Sequence, residues 1–167
     1  TVTPSDVADA EHVFWSGPID QYFEAKFGAL GYRTLDYVES SSEGDFQGCP
    51  VMNYCDVDVP YTRITEHKHF APWENHAATT VYTEYSRLAD GTDIPYYPIR
   101  QVEEKKQLSD YVAAAQQASC VTFLGRLGTY RYLDMDVTIK EALEVAKIYL
   151  SCRSENRSMP PFVVNPL

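Results

Sequence analysis

Positive charge is scarce in this chain of 167 residues. Lysine and arginine number 14 against 24 acidic residues, for a net charge of −10. That balance excludes a general nucleic-acid or anionic-membrane surface, although a few arginines can still gather in one pocket. No apolar run approaches the roughly 20 residues of a membrane span. The opening residues, Thr1 to Asp9, carry no initiator Met and no basic-then-apolar signal pattern, so the chain is expected to be processed or excised from something longer. Cys49, Cys55, Cys120 and Cys152 form no C-x-x-C pair, which removes zinc-knuckle and thioredoxin-type readings and leaves free thiols in a reducing, cytoplasmic setting. No G-x-G-x-x-G, P-loop or G-x-S-x-G occurs, and Asn156-Arg157-Ser158 is read as a chance sequon.

A hydrophobic content of 44% suits an ordinary globular core and one domain. His12 to Ser16 reads as a short strand, broken at Gly17-Pro18 and followed by a helix carrying Ile19, Tyr22, Phe23 and Phe27. Strands are expected at Tyr32 to Glu39, Val51 to Asp56, Arg63 to His69 and Thr79 to Tyr85, with Ser40 to Gly48 as a polar connection. No helical pattern separates them, so antiparallel pairing is favoured. A helix over Glu103 to Ala118, a buried strand at Val121 to Leu124 and a helix from about Asp136 to Cys152 follow. The last helix bears an apolar face of Ile139, Ala142, Leu143, Ala146, Tyr149 and Leu150. The fold class is thus α+β: a twisted antiparallel sheet flanked by strand–helix pieces of an incomplete α/β domain. The expected divisions are 1–31, 32–100, 101–153 and a loosely ordered tail at 154–167.

Three groups carry possible chemistry. In an extended Arg63 to His69, residues Arg63, Thr65, His67 and His69 share one face. His67 and His69 lack a third ligand at firm spacing, so no metal is expected. Tyr96-Tyr97 is stiffened by flanking prolines and either meets a ligand or covers the core. The run Gly125 to Met135 places Arg126, Tyr130 and Tyr132 at a helix entrance, with Asp134 at the N-cap position. That is a plausible polyanion site, or an ordinary strand–loop–helix connection.

Eight motifs in order extend these groups: Ser16-Gly17-Pro18-Ile19-Asp20-Gln21-Tyr22-Phe23, Phe27-Gly28-Ala29-Leu30, Phe46-Gln47-Gly48, Val59-Pro60-Tyr61-Thr62-Arg63, Glu66-His67-Lys68-His69-Phe70, Pro95-Tyr96-Tyr97-Pro98, Gly125-Arg126-Leu127 and Tyr130-Arg131-Tyr132-Leu133-Asp134-Met135. From about Val13 to Ala146 the chain resembles the C-terminal half of bacterial UDP-galactopyranose mutase. It departs at Leu133, where the family usually has Tyr, at Cys49 and Cys55, and at Glu84-Tyr85-Ser86, where the family has glutamate–tyrosine–proline.

The resemblance implies a flavoenzyme that interconverts UDP-galactopyranose and UDP-galactofuranose with reduced FAD, through an adduct of the sugar on flavin N5. It implies the flavin-binding identity of the flanking α/β pieces. It also implies UDP-galactose as substrate, no nucleic-acid or membrane partner, and room for a homodimer of the full-length protein. By matched position, Arg63 is implied as catalytic. Asn53, Arg63, Tyr97 and Tyr132 are implied as substrate-binding, and Gly17, Arg126, Asp134 and Met135 as cofactor-binding. The family's dinucleotide fingerprint, its uridine-binding helices and its mobile-loop arginine have no match here, so the chain alone is expected to be inactive and to hold FAD weakly. The rival expectation is a non-catalytic sugar-nucleotide-binding or assembly module.

Overall fold

The computed structural model describes residues 3–7 and 9–167, so the reading of the opening Thr1 to Asp9 segment falls in part outside the described residues. The chain divides into two compact units: the stretch up to Tyr32 together with Ile94–Leu167, and Arg33–Asp93 between them.

The middle unit is an antiparallel sheet of order β3–β4–β5–β2, built from β2 (Tyr32–Glu43), β3 (Val51–Asn53), β4 (Arg63–Glu66) and β5 (Ala78–Leu88). β2 and β5 pair from Arg33 opposite Leu88 to Glu43 opposite Ala78. The strand therefore runs through Ser40 to Glu43, which were expected to be connection. Serine has little intrinsic strand preference, but Thr79, Thr80 and Val81 of β5 supply a complete ladder, and pairing overrides propensity.

β4 ends sooner than expected. After Glu66 the chain tightens into a single 3₁₀ turn, His67–Phe70. Glu66 anchors this point: its buried carboxylate accepts the backbone N–H groups of Phe46, Gln47 and Gly48 at 2.9, 2.8 and 3.1 Å. Burial pushes its pKa up, but these donors outweigh burial and hold it down at about 2. The turn carries His69 Nε2 to 3.3 Å from Glu66, so His69 leaves the strand face that Arg63 and Thr65 share. Asp45 joins them, and one ligand atom from each of the three lies within 4.8 Å of the others. Lys68 Nζ occupies the rim, 2.5 Å from Asp45, and completes an ion-pair network.

The other unit holds a two-stranded parallel sheet, β1 (Val13–Trp15) beside β7 (Val121–Phe123), with Val13 opposite Val121. Around it lie α1 (Ile19–Tyr22), β6 (Tyr97–Pro98), α2 (Val102–Ala115), α3 (Gly125–Gly128) and α4 (Met135–Ser154). α1 is one turn rather than the longer helix expected, because Glu24 and Ala25 adopt left-handed backbone conformations. Phe23 and Phe27 still pack inward, against Tyr111 of α2. Buried Asp20 anchors the following chain by accepting Leu30 N–H at 3.0 Å and the Tyr32 hydroxyl at 2.8 Å.

Two expectations fail here. The segment after Ser154 is tied down rather than loose. Pro161 O accepts from Phe123 N–H at 2.8 Å, Pro160 O accepts from the Thr122 hydroxyl at 2.7 Å, and Phe162 stacks on Phe123. A two-stranded parallel sheet leaves the backbone donor of Phe123 on its flank, and the Pro161 carbonyl of the tail satisfies it. Nor does α4 bury the predicted apolar face. Val145 and Cys152 point inward, whereas Ile139, Leu143 and Leu150 are 61, 61 and 67% exposed. The amphipathic pattern is present, but its stripe has no cover in the described residues.

Candidate functional site

Each unit carries one cluster of the residues singled out from sequence. In the sheet, Asn53 of β3 stands directly opposite Arg63 of β4, and Arg63 opposite Glu84 of β5. Side chains on directly paired residues share a face. Arg63 Nε donates to Asn53 Oδ1 at 2.9 Å, and Arg63 Nη1 lies 3.8 Å from Glu84 Oε2. The Glu84 carboxylate is nearly buried, and the Thr62 hydroxyl donates to its Oε1 at 2.9 Å. Arg63 remains 40% exposed, so its guanidinium can meet a further anion. The same face continues through Thr65, Tyr82, Thr80 and His67, and with Tyr37 they line an open cleft of about 690 Å³. The floor is rich in hydroxyls and carries one cation and one carboxylate, the chemistry that suits a sugar bearing phosphate.

Glu84 was not selected from sequence. A signal existed: it is the one carboxylate in the otherwise Thr-, Val- and Tyr-rich run from Thr79 to Tyr85. Its side chain belongs to the ligand-facing parity of β5, which becomes readable only once the register is known.

In the other unit, the turn after β7 gathers Arg126, Tyr97 and Tyr132. The two rings stack with centroids 5.7 Å apart, and the Arg126 guanidinium lies 4.7 Å from the Tyr97 ring and 5.1 Å from that of Tyr132. Arg126 also donates to the Leu133 carbonyl. Its plane is thereby held by two aromatic faces and one backbone oxygen. Tyr132 is 66% exposed, leaving its hydroxyl open to a ligand.

Tyr130 has the opposite fate. It is fully buried, with its hydroxyl 2.6 Å from the Gly31 carbonyl and in hydrogen-bonding reach of Ile99 O. It anchors the loop and leaves the polyanion candidates. Arg131 leaves them as well, since it pairs with Glu141. Tyr130→Phe is expected to cost about 1 kcal/mol, because it removes a hydroxyl donor from the part-buried carbonyls of Gly31 and Ile99. Chemical denaturation of the variant measures this, and an unchanged midpoint would contradict it.

Asp134 sits at the N-cap position of α4, but no side chain caps that helix and Met135 is 83% exposed. The first turn thus presents N–H groups and the positive end of a 20-residue helix. Gly17 follows β1 where a Cβ would stand 3.3 Å from the Trp15 indole, so the structure gives it a packing reason. Gly128 is tighter still: a Cβ there would lie 2.6 Å from the Trp15 carbonyl, which lets α3 close against the end of β1. The donors at this end, an aromatic-held guanidinium and an uncapped helix start, fit an electron-rich ring or an anion. They fit the flavin end of FAD, while no glycine fingerprint in the chain fits its pyrophosphate.

Comparison with known proteins then decides the family. A sequence model of UDP-galactopyranose mutase matches residues 2–132. The chain belongs to the UDP-galactopyranose mutase family. It is 55% identical over 161 residues to a probable UDP-galactopyranose mutase of Klebsiella pneumoniae, covering 96% of this chain and 42% of that protein. It is 54% identical over 145 residues to the dTDP-fucopyranose mutase of Escherichia coli, covering 86% of this chain and 38% of that protein. A UDP-galactopyranose mutase of Mycoplasma pneumoniae is 30% identical over 141 residues, 81% of this chain and 35% of that protein. The chain therefore spans about two fifths of the length of the curated mutases it matches. Among the described residues no helix is long and apolar enough to cross a membrane, and all four cysteines are free.

Proposed function

We propose that this chain is the C-terminal part of a flavin-dependent mutase that interconverts the pyranose and furanose forms of a nucleoside-diphosphate sugar, with UDP-galactose as substrate. The family match carries this reading, and the cross-strand set Asn53–Arg63–Glu84 is the geometry that supports it. Reduced FAD, when bound, supplies a nucleophile for the anomeric carbon. This chain's residues supply one part of what remains. Arg63, oriented by Asn53, donates to the diphosphate as negative charge develops on it. Tyr97 and Tyr132 carry uncharged hydroxyls of the kind that donate to a nucleotide-sugar ligand. Arg126, Gly17, Asp134 and the Met135 backbone would hold the cofactor, and a positive helix end such as the α4 start would favour its anionic, reduced form. The reaction runs in the cytoplasm.

Among the described residues, the exposed apolar stripe of α4 and a parallel sheet of two strands support a chain that completes a larger α/β domain. Expressed alone, the 167-residue chain is expected to purify without stoichiometric FAD, read from its visible absorbance. A yellow one-to-one complex would contradict this.

The second relative favours a second reading of the sugar, since it is named for dTDP-fucopyranose at nearly the same identity. The two sugars differ at C6, hydroxymethyl in galactose and methyl in fucose. The hydroxyl-rich sheet face favours the hydroxymethyl sugar, because polar groups that lose their partner oppose a methyl. Parallel kcat/KM measurements on the full-length protein with UDP-galactofuranose and dTDP-fucofuranose test the assignment. A preference for the dTDP sugar would overturn UDP-galactose as substrate.

A further inference from the structure

We infer that Thr62 is a positioning residue: it sets the carboxylate of Glu84, and through it the guanidinium of Arg63. The inference rests on the reading of Arg63 as a substrate-binding residue. Thr62 immediately precedes β4 and grips Glu84 of β5 at three points. Its N–H donates to the Glu84 carbonyl oxygen at 2.8 Å, and its hydroxyl lies 2.9 Å from Glu84 Oε1 and 3.2 Å from that same carbonyl.

The consequence is visible in the neighbouring ion pair. Glu84 Oε2 stays 3.8 Å from Arg63 Nη1, beyond hydrogen-bonding distance. A nearly buried carboxylate that close to a guanidinium is strongly drawn to a direct, bidentate contact, since attraction grows as distance and dielectric fall. The Thr62 hydroxyl restrains the carboxylate from the other side. Asn53 holds the far edge of Arg63 at Nε. Set between Asn53 and a restrained Glu84, the guanidinium keeps donors available for an incoming anion instead of spending them on Glu84. Without the hydroxyl, Glu84 closes on Arg63 and competes with the substrate.

Thr62 is itself exposed, so its hydroxyl has no packing duty that would confound a test. In the full-length protein, Thr62→Val keeps the side-chain shape and the backbone N–H but removes the hydroxyl. It is expected to lower kcat/KM about tenfold, chiefly through KM, the scale of one hydrogen bond to a charged group. Thr62→Ser, which keeps the hydroxyl, is expected to restore kcat/KM to within about twofold of the parent. In a Glu84→Gln background, Thr62→Val is expected to add no further loss, because the charge it restrains is already gone.

The inference is overturned if Thr62→Val keeps the parent KM while Arg63→Ala is inactive, or if Thr62→Val costs as much with Glu84→Gln as without it. Near-normal turnover by Arg63→Ala overturns instead the underlying site reading.

Discussion

Arg63→Ala in the full-length protein is expected to lower turnover by about two to three orders of magnitude, the usual cost of removing one preorganised donor from a site of developing negative charge. Its effect on stability is expected to be small. Arg63 meets Glu84 only at 3.8 Å and its bond to Asn53 lies at an exposed position. An exposed contact such as the Arg63–Asn53 bond contributes about 0–1 kcal/mol, and Glu84 keeps its Thr62 donor when Arg63 is removed. The two readouts therefore separate: kcat collapses while the thermal midpoint holds. Arg63→Lys is expected to stay impaired, since an ammonium keeps the charge but loses the planar fork that bonds Asn53 and a phosphate together. Near-normal turnover in Arg63→Ala would remove this residue from the catalytic set.

The second large effect falls on stability. Glu66→Gln is expected to destabilise the sheet unit by about 2–4 kcal/mol, because a fully buried carboxylate that accepts three backbone N–H groups is replaced by an amide that turns one donor toward them. The pH dependence has a definite sign. The folded pKa of about 2 lies below the ordinary glutamate value, so the unfolded chain binds more protons across that interval. The stabilisation is complete above the ordinary glutamate range and is lost as pH falls from there through about 2. Denaturant unfolding of parent and variant at neutral pH and near pH 3 should therefore show the gap between them narrowing in acid. A gap of constant size would contradict the role assigned to the 46–48 turn.

How much of this was legible in the sequence depends on what each signal encodes. The antiparallel middle follows from β-rich runs with no helical pattern between them, Arg63 stands out on an extended face, and Asn53 comes only from the family resemblance. That they are cross-strand partners was not readable, because register is fixed by pairing rather than by composition. Glu84 was missed for the same reason. Tyr130 and Tyr132 looked alike in the loop, yet one is core and the other exposed. Only the carbonyls of Gly31 and Ile99, distant in sequence, make the difference. The α4 periodicity correctly marked an apolar stripe, but periodicity says where such a face lies and not whether anything covers it. The short α1 and the firm tail were both decided by tertiary contacts: the left-handed Glu24 and Ala25 in one case, and the free flank of β7 in the other.

Ring interconversion of a nucleotide sugar under reduced flavin is the central proposal. The most direct measurement is turnover of UDP-galactofuranose by the full-length protein with its flavin reduced and then oxidised. Conversion to UDP-galactopyranose is expected in the reduced state and little in the oxidised one. No conversion with reduced flavin, or equal rates in both states, would contradict it.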